Sequence, residues 1–145
     1  MTEERPPYRA AVLVSAAVFG GYLLTLAPSV TFWDAGEFIT AARTLGIPHP
    51  PGTPLFVLIA HVWGLLVPVG EYAWRLNLLS AVCGAMASGC WFLVAHATAS
   101  TMYRDIGEAP RRALALGVGG AAALLTAFSF TNWQNSVTEG ARMRR

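Results

Sequence analysis

The stretch His49-Pro50-Pro51-Gly52-Thr53-Pro54, with Asp34 and Glu37 upstream of it, decides how this chain is interpreted. Proline fixes φ and has no amide N–H to donate, so six residues that include three prolines form neither a helix nor a central strand. Strongly apolar segments lie on both sides of this polar stretch. A membrane protein keeps irregular backbone and carboxylates only where water or protein groups meet them. We therefore predict a water-facing loop at a membrane surface, and the acidic residues suggest a functional site.

The composition is that of a membrane protein. Hydrophobic residues make up 54% of the 145 residues and charged residues only 12%, with a mean hydropathy of +0.47. A soluble domain carries about 25% charged residues. The net charge of +2 is small, and the basic residues cluster toward the chain ends, so we expect the lipid bilayer as a partner and no nucleic acid.

Four apolar blocks occur, at Ala10–Ala27, Pro54–Val69, Leu76–Ala99 and Ala113–Thr131. A span needs about 20 apolar residues, which the first, third and fourth blocks approach or exceed. The second block is shorter, contains a histidine and a proline, and directly follows the proline-rich stretch. It is marginal as a span and could instead lie along the membrane surface.

Arginine positions distinguish these two possibilities. If the second block spans, Arg104, Arg111 and Arg112 lie on the non-cytoplasmic side. If it lies on the surface, those residues join Arg5 and Arg9 in the cytoplasm, as the positive-inside rule favours. We therefore expect three spans with a cytoplasmic N-terminus. We also expect the protein in a bacterial inner membrane.

The predicted fold is an all-α polytopic membrane protein with a single membrane domain, residues 1–145. The expected segments are a first span 10–27, an extracytoplasmic loop 28–75 with short interfacial helices including 54–69, a second span 76–99, a cytoplasmic loop 100–112, a third span 113–131 and an extracytoplasmic tail 132–145. Glycine and alanine at 117 and 119–123 would let helices approach closely.

Asp34 and Glu37 lie three residues apart, on one face if the segment is helical. One interpretation is a capping box, with Asp34 as the N-cap and Glu37 reaching back to its amide. The other is a general base plus a substrate-binding carboxylate at the mouth of a membrane cavity. The spacing alone leaves both open.

Two further polar residues have alternative roles. His49 could belong to a simple turn, or could orient a carboxylate or contact an anion. Arg75, at the start of the third block, could anchor the helix at the interface or bind a phosphate through its guanidinium. By contrast, His61 and His96 lie within apolar blocks, and we interpret them as satisfied or cavity-lining side chains rather than ligands.

Three segments carry a family resemblance: Trp33-Asp34-Ala35-Gly36-Glu37-Phe38, then Leu45-Gly46-Ile47-Pro48-His49-Pro50-Pro51-Gly52-Thr53-Pro54, then Trp74-Arg75-Leu76-Asn77-Leu78-Leu79-Ser80. In this order they resemble the N-terminal region of the domain-of-unknown-function family numbered 2723. That family includes the transmembrane-protein-260-type protein O-mannosyltransferases, of the GT-C glycosyltransferase superfamily. The resemblance runs from about residue 10 to residue 139.

The resemblance implies an enzyme that moves a mannose-like sugar from a polyprenyl-phosphate donor to a protein hydroxyl, on the extracytoplasmic side. Asp34 would deprotonate the acceptor, with Glu37 in the same acidic motif. Arg75 would hold the lipid phosphate, and His49 lies in the family's His-Pro-Pro segment. Inversion at the anomeric carbon would follow. The resemblance implies no cofactor and no metal, the lipid-linked sugar being a co-substrate.

The C-terminal part departs from the family pattern. Trp133 and Glu139 match a Trp and the start of a Glu-Val-Tyr motif after the third span, but residues 140–145 do not continue it. We therefore expect the N-terminal piece of a longer enzyme, with Trp133 and Glu139 as candidate substrate contacts. The alternative is a non-catalytic small membrane subunit, or degenerate fragment, that packs against a partner membrane protein.

Overall fold

The structure is a computed structural model that describes residues 6–30, 35–49 and 53–137. Its regular secondary structure in these ranges is entirely helical, which confirms the predicted all-α class. The helices are α1 Tyr8–Thr25, α2 Ala35–Thr44, α3 Pro54–Leu66, α4 Tyr72–Met102, α5 Glu108–Ala127 and α6 Phe130–Val137.

Two helices, α1 and α4, are long and apolar enough to cross a membrane. A third span is present if α5 and α6, which bend by 63° at a short break, count as one. The 13 residues of α3 extend about 20 Å, which is short of a hydrocarbon core of about 30 Å. The chain is an integral membrane protein, and its described residues include two or three candidate spans.

The helices α4 and α5 are longer than the apolar blocks that predicted them. The helix α4 begins four residues before the block at 76–99 and continues to Met102, and α5 begins at Glu108. The 31 residues of α4 extend about 46 Å, beyond the hydrocarbon thickness. An apolar block records only the lipid-embedded part of a helix, whereas a helix continues into the headgroup region with polar side chains on its ends.

Contacts divide the described residues into two compact units. The bundle unit comprises those within Met1–Gly21 and Cys83–Asn132, and the motif unit those within Tyr22–Val82 and Trp133–Arg145. The bundle unit packs Ala11 of α1, Phe92 of α4 and Ala123 of α5 together. Large apolar side chains are mostly on its outside, as expected for helices in lipid.

Small residues form the inner face of α5, and they recur every four positions: Ala115, Gly119, Ala123 and Ala127. A Cβ at Gly119 would lie 3.0 Å from ring atoms and the carbonyl oxygen of Phe92. Gly117 and Gly120 have open space at the same place. The close approach of α5 to Phe92 of α4 therefore depends on Gly119 and not on Gly117 or Gly120.

The motif unit has its own core, in which α2, α3 and the first turns of α4 meet. Ala42, Ala60, Leu76 and Leu79 are buried there. The connection after α2 is a tight helix end: Leu45 has a φ of +54°, and the Gly46 N–H donates to the carbonyl of Ala41 at 2.9 Å. This arrangement is a Schellman motif with leucine at the left-handed position that glycine usually occupies. It ends α2 and starts the segment that leads to His49.

Candidate active site

Four of the six candidate site residues are described by the structure, and all four belong to the motif unit: Glu37, His49, Arg75 and Trp133. The other two, Asp34 and Glu139, lie outside the described residues, as do residues 50–52. Their assigned roles remain predictions. The site is therefore built from the four described residues and their neighbours.

Glu37 and His49 form the most direct contact between predicted site residues. One carboxylate oxygen, Oε2, lies 2.8 Å from the ring Nδ1 of His49, and Oε1 accepts the main-chain N–H of His49 at 2.5 Å. The two side chains are 44% and 48% exposed, respectively. A single carboxylate thus fixes both the backbone and the ring of His49, and it joins the acidic segment to the His-Pro-Pro segment.

This pairing decides the ionisation of Glu37. The pKa of Glu37 is lowered from its ordinary value by the side-chain hydrogen bond from His49, and further by the main-chain hydrogen bond and the charge of His49. The carboxylate therefore stays ionised at neutral pH and loses this pairing only under acid conditions. Both oxygens bond to His49, whereas the capping-box interpretation assigned Glu37 to an amide at the helix start.

An aromatic frame, formed by Phe38 and Phe56, lies on the His49 side of the pair. The ring of Phe38 meets the His49 ring edge-on, with centroids 5.7 Å apart. On its other side it meets Phe56 of α3 at the same distance and nearly at a right angle. Edge-to-face geometry is favourable for aromatic rings. The frame fixes the His49 ring with respect to α2 and α3.

Arg75 donates to the backbone at the end of α3. Its Nη1 donates to the carbonyl of Gly64 at 2.9 Å, and its Nη2 donates to Gly70 at 2.9 Å. Its Nε contacts the carbonyls of Val69 and Gly70, both at 3.2 Å. Arginine has five N–H groups, of which these bonds use three. Arg75, which is predicted to bind phosphate, thus also has a structural role. It satisfies one carbonyl in the last turn of α3 and two carbonyls in the connection that follows.

Asn77 is a residue whose role the sequence analysis missed. It is buried, with 3% exposure, and its side-chain amide donates to the carbonyls of Ala27 at 3.0 Å and Ser29 at 3.3 Å. It thereby holds the connection from α1 toward α2. Val30, next in that connection, lies against Gly36 in the first turn of α2. The signal was available, since an asparagine within an apolar block needs buried hydrogen-bond partners.

Trp133 contacts the end of α1. Its indole N–H donates to the hydroxyl oxygen of Thr25 at 3.1 Å, and close by the N–H of Ala27 donates to the carbonyl of Val137 at 3.1 Å. These bonds attach α6 to the end of α1. Trp133 therefore has a structural contact in addition to the substrate contact predicted for it.

His61 is satisfied within the protein, as expected. Its Nδ1 lies 2.8 Å from the carbonyl oxygen of Ala42. Because a carbonyl only accepts hydrogen bonds, Nδ1 carries the proton in this contact. His61 thus joins α3 to α2 and helps to hold the helix that carries Glu37.

Comparisons with known proteins agree with this assembly of motifs. The family described as "Protein O-mannosyl-transferase TMEM260 N-terminal domain" matches residues 34–141. The chain is 40% identical over 129 residues to "Protein O-mannosyl-transferase TMEM260" of Mus musculus, covering 89% of this chain and 16% of that protein. It is 38% identical over 69 residues to "Protein O-mannosyl-transferase tmem260" of Dictyostelium discoideum, covering 46% of this chain and 8% of that protein. No solved structure matches significantly. With its acidic, His-Pro-Pro and Trp-Arg-Leu-Asn segments inside the matched range, the chain belongs to the TMEM260 N-terminal domain family.

Proposed function

We propose that this chain is the donor-binding and catalytic N-terminal module of a protein O-mannosyltransferase. The relatives named above carry that activity in their names. The chain spans only 16% of the mouse protein's length, so the activity is inferred for the module in its full protein context. The donor class, a polyprenyl-phosphate-linked mannose, follows from the family resemblance of the motifs.

The observation that carries the proposal is the link between Glu37 and His49. It connects two motifs that are 12 residues apart in sequence and fixes them in the unit that also contains Arg75. Acid, base and cation are the groups that a transfer from a lipid phosphate needs. A bundle that served only as a packing subunit has no need of an exposed carboxylate–imidazole pair.

The proposed reaction is a single displacement. Asp34 accepts the proton of a serine or threonine hydroxyl as that oxygen forms a bond to the anomeric carbon of the mannose. The bond from that carbon to the phosphate oxygen breaks, and the electron pair leaves on the polyprenyl phosphate. Arg75 and His49 offset the negative charge that develops there. Attack from the face opposite the leaving group inverts the anomeric configuration.

The reaction is proposed for the extracytoplasmic side of the membrane. The three-span arrangement of the charge analysis puts the loop at 28–75 on that side, opposite the N-terminus. The exposed apolar side chains of α3, among them Leu58, Val62 and Leu65, suit a helix that lies in the interface. A donor with a long polyprenyl chain would then reach the site from within the bilayer.

The test is mannosyl transfer in membranes that contain the module in its full protein context, with a radiolabelled polyprenyl-phosphate mannose as donor. We expect Asp34→Asn to lower transfer by at least about 100-fold, as loss of a general base does. Asp105→Asn, in an exposed connection between α4 and α5, is the matched control and should transfer normally. Equal transfer by both variants would contradict the role of Asp34. No transfer by the unmodified protein, together with co-purification of a second membrane protein, would favour the non-catalytic subunit.

A further inference from the structure

Glu37 holds His49 through its carboxylate group. One carboxylate oxygen accepts from the ring of His49 and the other accepts from its main-chain N–H. Its pKa is lowered by these bonds, which makes the carboxylate a weaker base than an ordinary glutamate. A general base instead needs a pKa near the working pH and an oxygen within reach of the acceptor.

In this pair the Glu37 carboxylate orients the imidazole ring of His49. A carboxylate that accepts from Nδ1 fixes the tautomer of a neutral histidine, so that the other ring nitrogen can accept. It also stabilises the imidazolium form, because the two charges attract. Around the ring, α2 presents the Glu37 carboxylate and Phe38, and α3 presents the uncharged ring of Phe56 to Phe38. The half-exposed ring of His49 is thus held at a fixed place by a carboxylate and an aromatic ring.

We propose that Glu37 is a positioning residue, and that it acts through His49, which contacts the anionic phosphate of the lipid-linked donor. This inference rests on the proposed function and assigns different roles to Asp34 and Glu37, the two carboxylates of the acidic motif. Asp34 takes the acceptor proton, whereas Glu37 holds the group that meets the donor. The contrast predicts different pH behaviour for substitutions at positions 34 and 37.

The first measurement does not depend on activity. The whole chain, labelled with ¹⁵N-histidine and reconstituted in phospholipid nanodiscs, is titrated with acid while the imidazole nitrogens are followed by NMR. We expect His49 to titrate at lower pH in Glu37→Gln than in the unmodified protein, since the variant lacks the negative charge. His61, which donates to the Ala42 carbonyl, serves as the internal control and should not change. Equal titration of His49 in both proteins would overturn the proposal.

The second measurement is binding of a short-chain polyprenyl-phosphate mannose, with free polyprenol and inorganic phosphate as comparison probes. We expect the Glu37→Gln variant to bind the donor about fivefold more weakly than the unmodified protein near pH 7.5. Near pH 5.5, where an unpaired histidine is protonated, the variant should bind as tightly as the unmodified protein. His49→Gln should bind weakly at both pH values. Free polyprenol should bind without this pH dependence. Displacement of the donor by inorganic phosphate would identify the phosphate group as the element recognised.

Different failures have different meanings. If the unmodified protein does not bind the donor at any pH, the proposed function itself is contradicted. If it binds the donor and Glu37→Gln binds equally well, only the role of Glu37 is overturned. A loss in Glu37→Gln that persists at low pH would show a general structural defect and would also overturn the proposal. Loss of transfer with donor binding intact would instead make Glu37 part of the chemistry.

Discussion

The guanidinium of Arg75 donates a hydrogen bond of 2.9 Å to the carbonyl oxygen of Gly64, in the last turn of α3. The neighbouring carbonyl, that of Trp63, accepts the N–H of Val67 instead. The Trp63 indole in turn donates to the carbonyl of Arg75 at 2.7 Å. The end of α3 and the start of α4 therefore each donate a side-chain hydrogen bond to the backbone of the other, and Arg75 takes part in both bonds.

The first prediction concerns this contact. Arg75→Ala should lower the free energy of unfolding in detergent micelles by about 2 kcal/mol, because hydrogen bonds from a charged donor to backbone carbonyls are lost. Arg75→Lys should recover less than half of that loss, since an ammonium cannot reproduce the forked geometry. Arg104→Ala, at an exposed position, should change it by less than about 0.5 kcal/mol. If Arg75→Ala is as stable as the control, Arg75 has no structural role.

The second prediction concerns the buried amide of Asn77. Asn77→Ala should destabilise the protein by about 2 kcal/mol, because the buried carbonyl of Ala27 and the part-buried carbonyl of Ser29 lose their donor. Asn77→Asp should be worse, since a carboxylate cannot donate and would face two carbonyl oxygens. The matched control is Asn132→Ala, which removes an exposed bond to the carbonyl of Thr126. Equal effects at 77 and 132, measured by unfolding in micelles, would contradict the buried contact.

The third prediction separates two adjacent glycines of α5. Gly119→Ala should destabilise the protein by about 1–3 kcal/mol, because the added methyl group would press on the ring and the carbonyl oxygen of Phe92. The ring can turn away, but the carbonyl can move only with α4. Gly120→Ala meets nothing within 4 Å and should be neutral or stabilising. Thermal unfolding of the two variants side by side checks this; a larger loss for Gly120→Ala would contradict the packing described.

The fourth prediction tests the number of spans. With both natural cysteines replaced by serine, a single cysteine is introduced at Thr44 or at Arg104, both exposed. If α3 lies on the surface, the two sites are on opposite sides of the membrane. A membrane-impermeant maleimide added to intact cells should then label position 44 and leave 104 unlabelled until the cells are broken. Labelling of both sites from outside would mean that α3 spans.

The apolar blocks were sufficient to predict the helical membrane class, because about 20 apolar residues in sequence have few alternatives to a spanning helix. They could not predict where α4 and α5 begin. The first turns of these two helices carry polar residues such as Arg75 and Glu108, whose helical state depends on tertiary contacts and on their position at the membrane interface. The bend between α5 and α6 lies within the third predicted span, where hydropathy carries no signal for it.

The site was predictable at the level of residue types. Motif and spacing indicate Glu37 and His49 as site residues, and they leave open that His49 orients a carboxylate. Their pairing depends on the tight end of α2 at Leu45, a non-glycine residue in a left-handed conformation that sequence rules would not assign. Arg75 bonds to carbonyls 5 to 11 residues away, and Asn77 bonds to carbonyls 48 and 50 residues away. Both sets of contacts depend on how the backbone folds, and a single sequence gives no distance for them.

The most direct test of the proposed function is to identify the donor from which the transferred sugar comes. Membranes that contain the protein are supplied with mannose labelled either in polyprenyl-phosphate mannose or in a nucleotide-linked form, with formation of the lipid-linked donor blocked. We predict that label from the lipid-linked donor alone enters protein, as mannose released by alkaline β-elimination, and that Asp34→Asn abolishes it. Incorporation from the nucleotide sugar while the lipid donor is inert would contradict the proposed transfer from a polyprenyl-phosphate donor.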